Sequence, residues 1–369
     1  MPPGDPGFRP RADVPLAPFT TLGIGGRARW FVTATTVEDV AAAHRWCGDE
    51  SLPLVVLGGG SNLVIADEGV NGLVLHVAIG GAGFSTGLHQ TTLQAGAGEP
   101  WDGIVEASVA RGLAGLECLS GIPGSVGGTP VQNVGAYGQE VAETITEVTV
   151  FDRTSGRPTA LSGADCRFGY RSSRFKGEDA GRFVVCDVTF TLRPGPPTVA
   201  YPDVIDHLAR GAIASPTVQD VREAVLSIRR RKGMVIDESD ADTRSVGSFF
   251  MNPVVAAGVH AALASASGET VPAFPLPGGQ VKIPAAWLIE RSGFSRGDAF
   301  GRVGLSSKHP LAIINRGGAT ARDVLDLAVR IKRAVADRFG IWLTPEPVFV
   351  GLDGDGDVRY LASRMSQGA

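Results

Sequence analysis

SGIPGSVGGTPVQNVGAYG, residues 120–138, is a glycine-dense run interrupted by Pro123 and Pro130. Gly121, Gly124, Gly127, Gly128 and Gly135 let backbone N–H groups approach a bulky anion where any Cβ would collide, and the prolines hold the loop in one shape. A flexible linker would be padded with Ser and charge. Here Ile122, Val126, Val131, Val134 and Ala136 are apolar and are expected to pack inward.

Upstream of this loop the pattern is that of an α/β unit. A strand at 28–33 (ARWFVT), a helix over 37–47 after Thr36, a strand at 52–58 (LPLVVLG) and another at 72–77 (GLVLHV) follow one another. A second unit holds a strand at 91–97, a helix over 101–111, the glycine loop itself, and strands at 146–152 and 183–192. In the last, Val184, Cys186, Val188, Phe190 and Leu192 share one face by period-two alternation. The segment RPGPPTVAYPD, 193–203, reads as a domain boundary, because clustered Pro and Gly cannot continue regular structure. Beyond it, Thr217 caps a helix with Val221, Val225 and Ile228 inward, ending in Arg229, Arg230, Arg231 and Lys232. Thr320 and Asp323 form a capping box for a long helix that stops at Gly340, and a short strand, IWLTPEPVFVG, follows.

Composition bounds the possibilities. With 369 residues, 43% hydrophobic and 20% charged, the chain suits two or three globular domains. A net charge of -4 offers no global field for nucleic acid, so any anionic ligand must be held locally. Cys47, Cys118, Cys166 and Cys186 form no C-x-x-C pair and are expected to be reduced and buried. No zinc site is suggested, and no other metal centre is expected. The first residues lack an apolar signal region, and no stretch approaches the ~18 apolar residues that span a bilayer. A cytoplasmic location and a disordered tail over 1–18 are the expectations.

Gly58, Gly59, Gly60, Ser61 and Asn62 sit directly after the apolar run LVVL. Three glycines at a strand end make an anion-binding turn, and Ser61 and Asn62 add donors suited to phosphate oxygens. The loop is neither a Walker A loop nor a G-x-G-x-x-G fingerprint. Two glycine loops in separate α/β units suggest a long dinucleotide clamped between subdomains, and FAD fits that description.

LGGGSN (57–62), GIPGSVGG (121–128), NVGAYG (133–138), CRFGYRSSRFK (166–176), GSFFMNP (247–253), AAWLIERSGF (285–294) and PEPVFVG (345–351) occur in this order. In these motifs the chain, from about Phe19 to Gly351, resembles the UDP-N-acetylenolpyruvoylglucosamine reductase family, in its first subtype with a substrate-domain tyrosine loop. The resemblance implies an α+β chain with a vanillyl-alcohol-oxidase-like FAD-binding fold of two α/β subdomains, about 19–84 and 85–195, plus a separate α+β substrate-binding domain over 205–340. It further implies a returning C-terminal strand at 341–355 with a catalytic Glu, and a tail at 356–369. FAD would be held noncovalently by Gly58 to Asn62 and by Ser120, Gly121, Ile122, Pro123, Gly124, Gly127, Gly128, Asn133, Gly135, Ala136 and Tyr137.

The implied reaction is NADPH-dependent reduction of UDP-N-acetylglucosamine enolpyruvate to UDP-N-acetylmuramate, a step of peptidoglycan precursor biosynthesis. Arg171 matches the family arginine at the substrate carboxylate, and a guanidinium suits that task because it is always charged and bidentate. Ser248 matches the proton donor to the enolate carbon. Outside this motif, a lone Ser before two Phe reads as a turn residue. Glu346, between Pro345 and Pro347, is a rigidly aimed carboxyl that, when protonated beside a substrate carboxylate, donates a hydrogen bond. Tyr170 and Tyr201 are expected at the substrate, Lys232 at its diphosphate, and Asn252 at the sugar or diphosphate. Met251 departs from the pattern, in which a basic residue is common. The nearest competing reading is an FAD-dependent oxidase of the same fold acting on another alcohol or sugar; a noncatalytic nucleotide-sugar sensor is the rival from outside enzymology.

Overall fold

The computed structural model describes residues 8–363 of the chain, which fall into two compact units. The first comprises residues up to 15, 27–60 and 70–236; the second comprises 16–26, 61–69 and 237 onward.

In the first unit, Thr36 opens helix α1 (Val37–Asp49) with a capping box: its hydroxyl accepts from the Asp39 N–H, and Asp39 accepts from the Thr36 N–H. This satisfies donors that a helix start would otherwise leave bare. Val40, Ala43 and Cys47 of α1 are buried, and α1 lies against a sheet ordered Arg11–Pro15, Arg27–Ala34, Val70–Val77, Leu54–Leu57. The last three strands run parallel and the first antiparallel. A second sheet is wholly antiparallel, in the order Arg157–Ser162, Ile145–Asp152, Phe183–Pro194, Thr91–Gly96, Ala82–Thr86. The expected alternation holds there, since Val184, Cys186, Val188, Phe190 and Leu192 are all buried. Helix α2 (Trp101–Val109) packs Trp101, Ile104, Val105 and Val109 into the same core. Each such apolar side chain, fully buried, stabilises the unit by roughly 1.5–3 kcal/mol.

The Pro- and Gly-rich segment at 193–203 does not divide the chain. It leads into α3 (Pro202–Arg210) and α4 (Val218–Arg231), which belong to the first unit. Val204, Leu208, Val221, Ala224, Val225 and Ile228 form a cluster with Cys118, against which Tyr137 of the glycine loop packs. The amphipathic faces of α3 and α4 are therefore buried on the loop segment, and the compact units part after Ile236.

In the second unit, α5 (Ala257–Ser267) accompanies a small sheet of Val254–Ala256, Gln280–Lys282 and Phe274–Leu276. Helix α6 (Ala285–Arg291) packs on α7 (Ala321–Phe339). The Thr320–Asp323 capping box starts α7, and Gly340, at φ +64, ends it in the left-handed region that glycine reaches without strain. Val324, Leu327, Ile331 and Val335 face the core as the periodicity requires.

Both expected tails contain structure. Arg11–Pro15 is a strand paired with Arg27–Ala34, and Gly356–Ala362 is a helix, α8. The remaining parts of those tails, 1–7 and 364–369, lie outside the described residues. The expected strand at 341–351 is regular only over Val348–Val350. No helix among the described residues is long and apolar enough to cross a membrane.

Candidate active site

The two glycine loops meet within the first unit. Gly58 to Gly60 leave the strand Leu54–Leu57, and the Gly59 N–H donates to Ser125 Oγ at 3.2 Å. A Cβ on Gly59 would stand 2.6 Å from Gly124 Cα, and one on Gly58 would stand 2.9 Å from Ser125 Oγ. Real Cβ atoms do not tolerate such approach, so only glycine permits this contact.

The loop from Ser120 to Gly128 is fixed by its own backbone. Trp101 N–H donates to Gly124 O, Val126 N–H to Glu99 O, and Gly127 N–H to Ala97 O. The N–H groups of Ile122, Gly124 and Ser125 have no hydrogen-bond partner among the described residues. A cradle walled by glycines with unpaired donors suits a phosphate group. The residues present therefore fit the FAD diphosphate, with Gly58 to Gly60 and Ile122 to Ser125 as the elements that would hold it.

Other predicted cofactor residues serve the loop rather than face outward. Ser120 is fully buried and its hydroxyl donates to Glu117 O at 2.7 Å. Asn133 is 1% exposed; its amide donates to Glu140 Oε2 and Gly169 O, and its Oδ1 accepts from Ala142 N–H. Gly135 and Ala136 pair with Gln139 and Glu140 in a two-residue ladder. Beneath them the buried Glu117 accepts from Gln139, from Thr198 N–H and from Gly115 N–H.

Backbone strain gathers in this region. Asn133, Tyr137 and Arg171 have φ of +45, +50 and +51, a conformation costly for non-glycine residues and found where surrounding structure imposes it. Arg171 donates to Gly135 O at 2.5 Å and to Asn133 O at 3.3 Å, so the arginine predicted for the substrate is braced on the glycine loop. Its guanidinium also lies 5.7 Å from the ring of half-exposed Tyr170. Tyr201 is the N-cap of α3 and stands edge-on to Tyr137, with ring centroids 5.3 Å apart. Lys232 sits over Tyr137 at 5.9 Å and pairs with Asp203 at 2.7 Å. Burial pushes the Tyr137 hydroxyl up to about 12. The four substrate-side predictions Arg171, Tyr170, Tyr201 and Lys232 thus gather about Tyr137 and Gly135.

The second unit holds the other predicted catalytic side chains. Gly247, at φ +73, turns the chain into Ser248, while Phe249 and Phe250 are buried beside it. Residues 249–251 run antiparallel to 344–346: Glu346 N–H donates to Phe249 O and Met251 N–H to Thr344 O, both at 2.9 Å. Ser248 and Glu346 are thereby placed on adjacent segments. Asn62 pins Glu346 from the other side, its amide reaching Glu346 O at 3.3 Å and its carbonyl accepting from Val348 N–H. Strand Val348–Val350 then pairs with Leu63–Ile65. The motif GGGSN therefore divides, its glycines in the first unit and Ser61 and Asn62 in the second. Asn252, expected at the sugar or diphosphate, has its Oδ1 committed to the Ala285 N–H that opens α6.

Three residues escaped the sequence reading. Asp102 and Arg229 grip the Gly121 peptide, and Arg222 holds Asp102. Arg222 lies on the same stripe of α4 as Val218, Val221 and Val225, and a cation on an apolar stripe was the available signal.

The C-terminal domain of UDP-N-acetylenolpyruvoylglucosamine reductase, as a family model, matches residues 238–350, and an FAD binding domain matches 28–162. The reductase of that name from Thermobifida fusca is 47% identical over 92% of this chain and 98% of its own. That from Streptomyces coelicolor is 48% identical over 92% of this chain and 90% of its own. The crystal structure of the Thermus caldophilus reductase aligns with a TM-score of 0.62 and 27% identity over 93% of this chain and 99% of that one. The chain belongs to the UDP-N-acetylenolpyruvoylglucosamine reductase family, and it is an FAD-dependent oxidoreductase.

Proposed function

We propose that this chain reduces UDP-N-acetylglucosamine enolpyruvate to UDP-N-acetylmuramate at the expense of NADPH. The observation that supports the reading is the backbone pairing of 249–251 with 344–346, which runs the segment bearing Ser248 beside the segment bearing Glu346. A sugar oxidase needs no proton donor for carbon, whereas reduction of an enol ether does. Family membership supplies the substrate class.

Bound FAD supplies hydride relay from NADPH to the methylene carbon of the substrate. Arg171, already oriented by Gly135 O and Asn133 O, holds the substrate carboxylate. Negative charge grows there as the hydride arrives, so a fixed guanidinium stabilises the transition state more than the ground state. Ser248 gives its hydroxyl proton to the carbon bearing that carboxylate, completing the addition of one hydride and one proton across the double bond. Serine is a weak acid, and the transfer proceeds because the enolate is strongly basic and Phe249 and Phe250 fix the backbone beside it. Glu346 acts with Arg171 at the developing enolate. Lys232 exchanges Asp203 for the diphosphate, and Tyr201 closes on the nucleotide.

Steady-state turnover tests this. NADPH consumption should require the enolpyruvyl sugar nucleotide, and mass spectrometry should show product heavier by two hydrogens. Oxidation of NADPH at the same rate without that substrate, with oxygen as acceptor, would favour the oxidase reading instead.

A further inference from the structure

Gly121 precedes the loop residues whose N–H groups are unpaired, and its own peptide is gripped by charged side chains. Its N–H donates to Asp102 Oδ1 at 2.6 Å, and Arg229 Nη2 donates to its carbonyl at 3.3 Å. Its φ is +70. Asp102 lies in the first turn of α2 and Arg222 on α4. Arg222 holds Asp102 bidentately, Nη1 to Oδ1 at 2.7 Å and Nη2 to Oδ2 at 3.0 Å, and is itself only 6% exposed.

A carboxylate beside an anion-binding loop poses an electrostatic problem. Asp102 orients Gly121, yet its charge repels a diphosphate held a few residues on. The bidentate guanidinium cancels that charge at contact distance and is always protonated. Burial alone would raise the Asp102 carboxyl, but Arg222 and the Gly121 N–H outweigh it and hold the carboxyl below the usual carboxylate range. The Asp102 side chain keeps 40% of its exposure, so water screens part of the repulsion as well.

We infer that Asp102 and Arg222 are a positioning pair for cofactor binding: Asp102 sets the Gly121 peptide of the FAD loop, and Arg222 neutralises Asp102 so that the loop accepts an anion. The inference rests on residues 120–128 being the FAD loop.

The test is FAD release from holoprotein, followed by the rise of free-flavin fluorescence on dilution, with thermal unfolding of the same samples stripped of flavin as control. Asp102→Asn keeps an acceptor for the Gly121 N–H and removes the charge, so FAD retention should stay within a few-fold of wild type. Arg222→Met strips the carboxylate of its bidentate counter-charge, leaving only Arg229 nearby, and should loosen FAD by ~10-fold or more, the scale of a lost charge-assisted contact. Asp102→Asn combined with Arg222→Met should recover most of that loss, which a purely structural role would not produce. Should Arg222→Met fail to fold, Arg222→Lys, which keeps charge without the bidentate grip, should fall between wild type and the ~10-fold loss. Equal retention in wild type and Arg222→Met or Arg222→Lys, or a double variant no better than Arg222→Met, would overturn the inference. Gly124→Val separates the two layers. If it leaves FAD binding untouched, the loop assignment is wrong; if it loosens FAD while Arg222→Met does not, only the positioning pair is wrong.

Discussion

Serine donates a proton to carbon only when the acceptor is far more basic than water, so the role proposed for Ser248 is confined to one half of the catalytic cycle. Ser248→Ala should leave flavin reduction by NADPH unchanged and slow the reoxidation half-reaction by ~10²-fold or more, the usual range for a lost general acid. Stopped-flow traces of each half-reaction decide it, and equal slowing of both would reject the role. Tyr137 makes a second residue-scale claim. Its hydroxyl is held neutral by burial, with a folded value near 12 against about 10 when unfolded. A raised value for an acid contributes stability that is complete below about pH 10 and is lost as pH rises through 12. Burial raises Tyr201 as well, so the ultraviolet titration of tyrosinate should show a late component that loses one tyrosine's amplitude in Tyr137→Phe. If all tyrosines titrate together near pH 10, Tyr137 is not buried as described. Single residues could be singled out in the sequence where a motif surrounded them, as with Arg171 and Glu346, whose proposed roles the half-reaction measurements test. Asp102 and Arg222, by contrast, act through a pairing across 120 positions that no local pattern encodes.

Elements announced by capping chemistry were readable in advance. Thr36, Thr217 and Thr320 each start a helix where the capping box places it, and the starts of α1, α4 and α7 match the reading. Elements held by tertiary partners were not. Arg11–Pro15 has one buried residue, Val14, and exists through pairing with Arg27–Ala34; its periodicity is too short to see. Helix α8 has seven residues and depends on Lys332 of α7, whose ammonium, fully buried, donates to Tyr360 O, Leu361 O and Ser363 O at 2.7–2.8 Å. The aromatic rings of Trp342 and Tyr360 lie 5.2 and 5.3 Å from it. Lys332→Met should keep the stem's packing and strip the donor. An unsatisfied buried acceptor costs roughly 1–3 kcal/mol, so the second unit should lose at least about 2 kcal/mol, read from the denaturant midpoint. Amide exchange should rise first across 356–362. An unchanged midpoint would show that α8 docks without this lysine.

At the scale of the whole molecule, the glycine loops, Arg171 and the Tyr137 cluster lie in the first unit, and Ser248 and Glu346 in the second. The proline-rich segment at 193–203 ends the strand but not the first unit, because α3 and α4 find their apolar partners at Cys118 and Tyr137. All four cysteines are buried and free, and burial pushes Cys118 up to about 12 and Cys47, Cys166 and Cys186 to about 11. Native protein should accordingly resist a thiol reagent at pH 8 and react at all four sites only when unfolded; fast labelling of any one in the native state would contradict that burial. The claim joining these parts is that the flavin passes hydride to an enolpyruvyl sugar nucleotide. The most direct measurement is an anaerobic absorbance spectrum of holoprotein bleached by NADPH and then given UDP-N-acetylglucosamine enolpyruvate. The oxidised flavin bands should return within the mixing time of a manual assay; a flavin that stays bleached until oxygen is admitted would contradict the account.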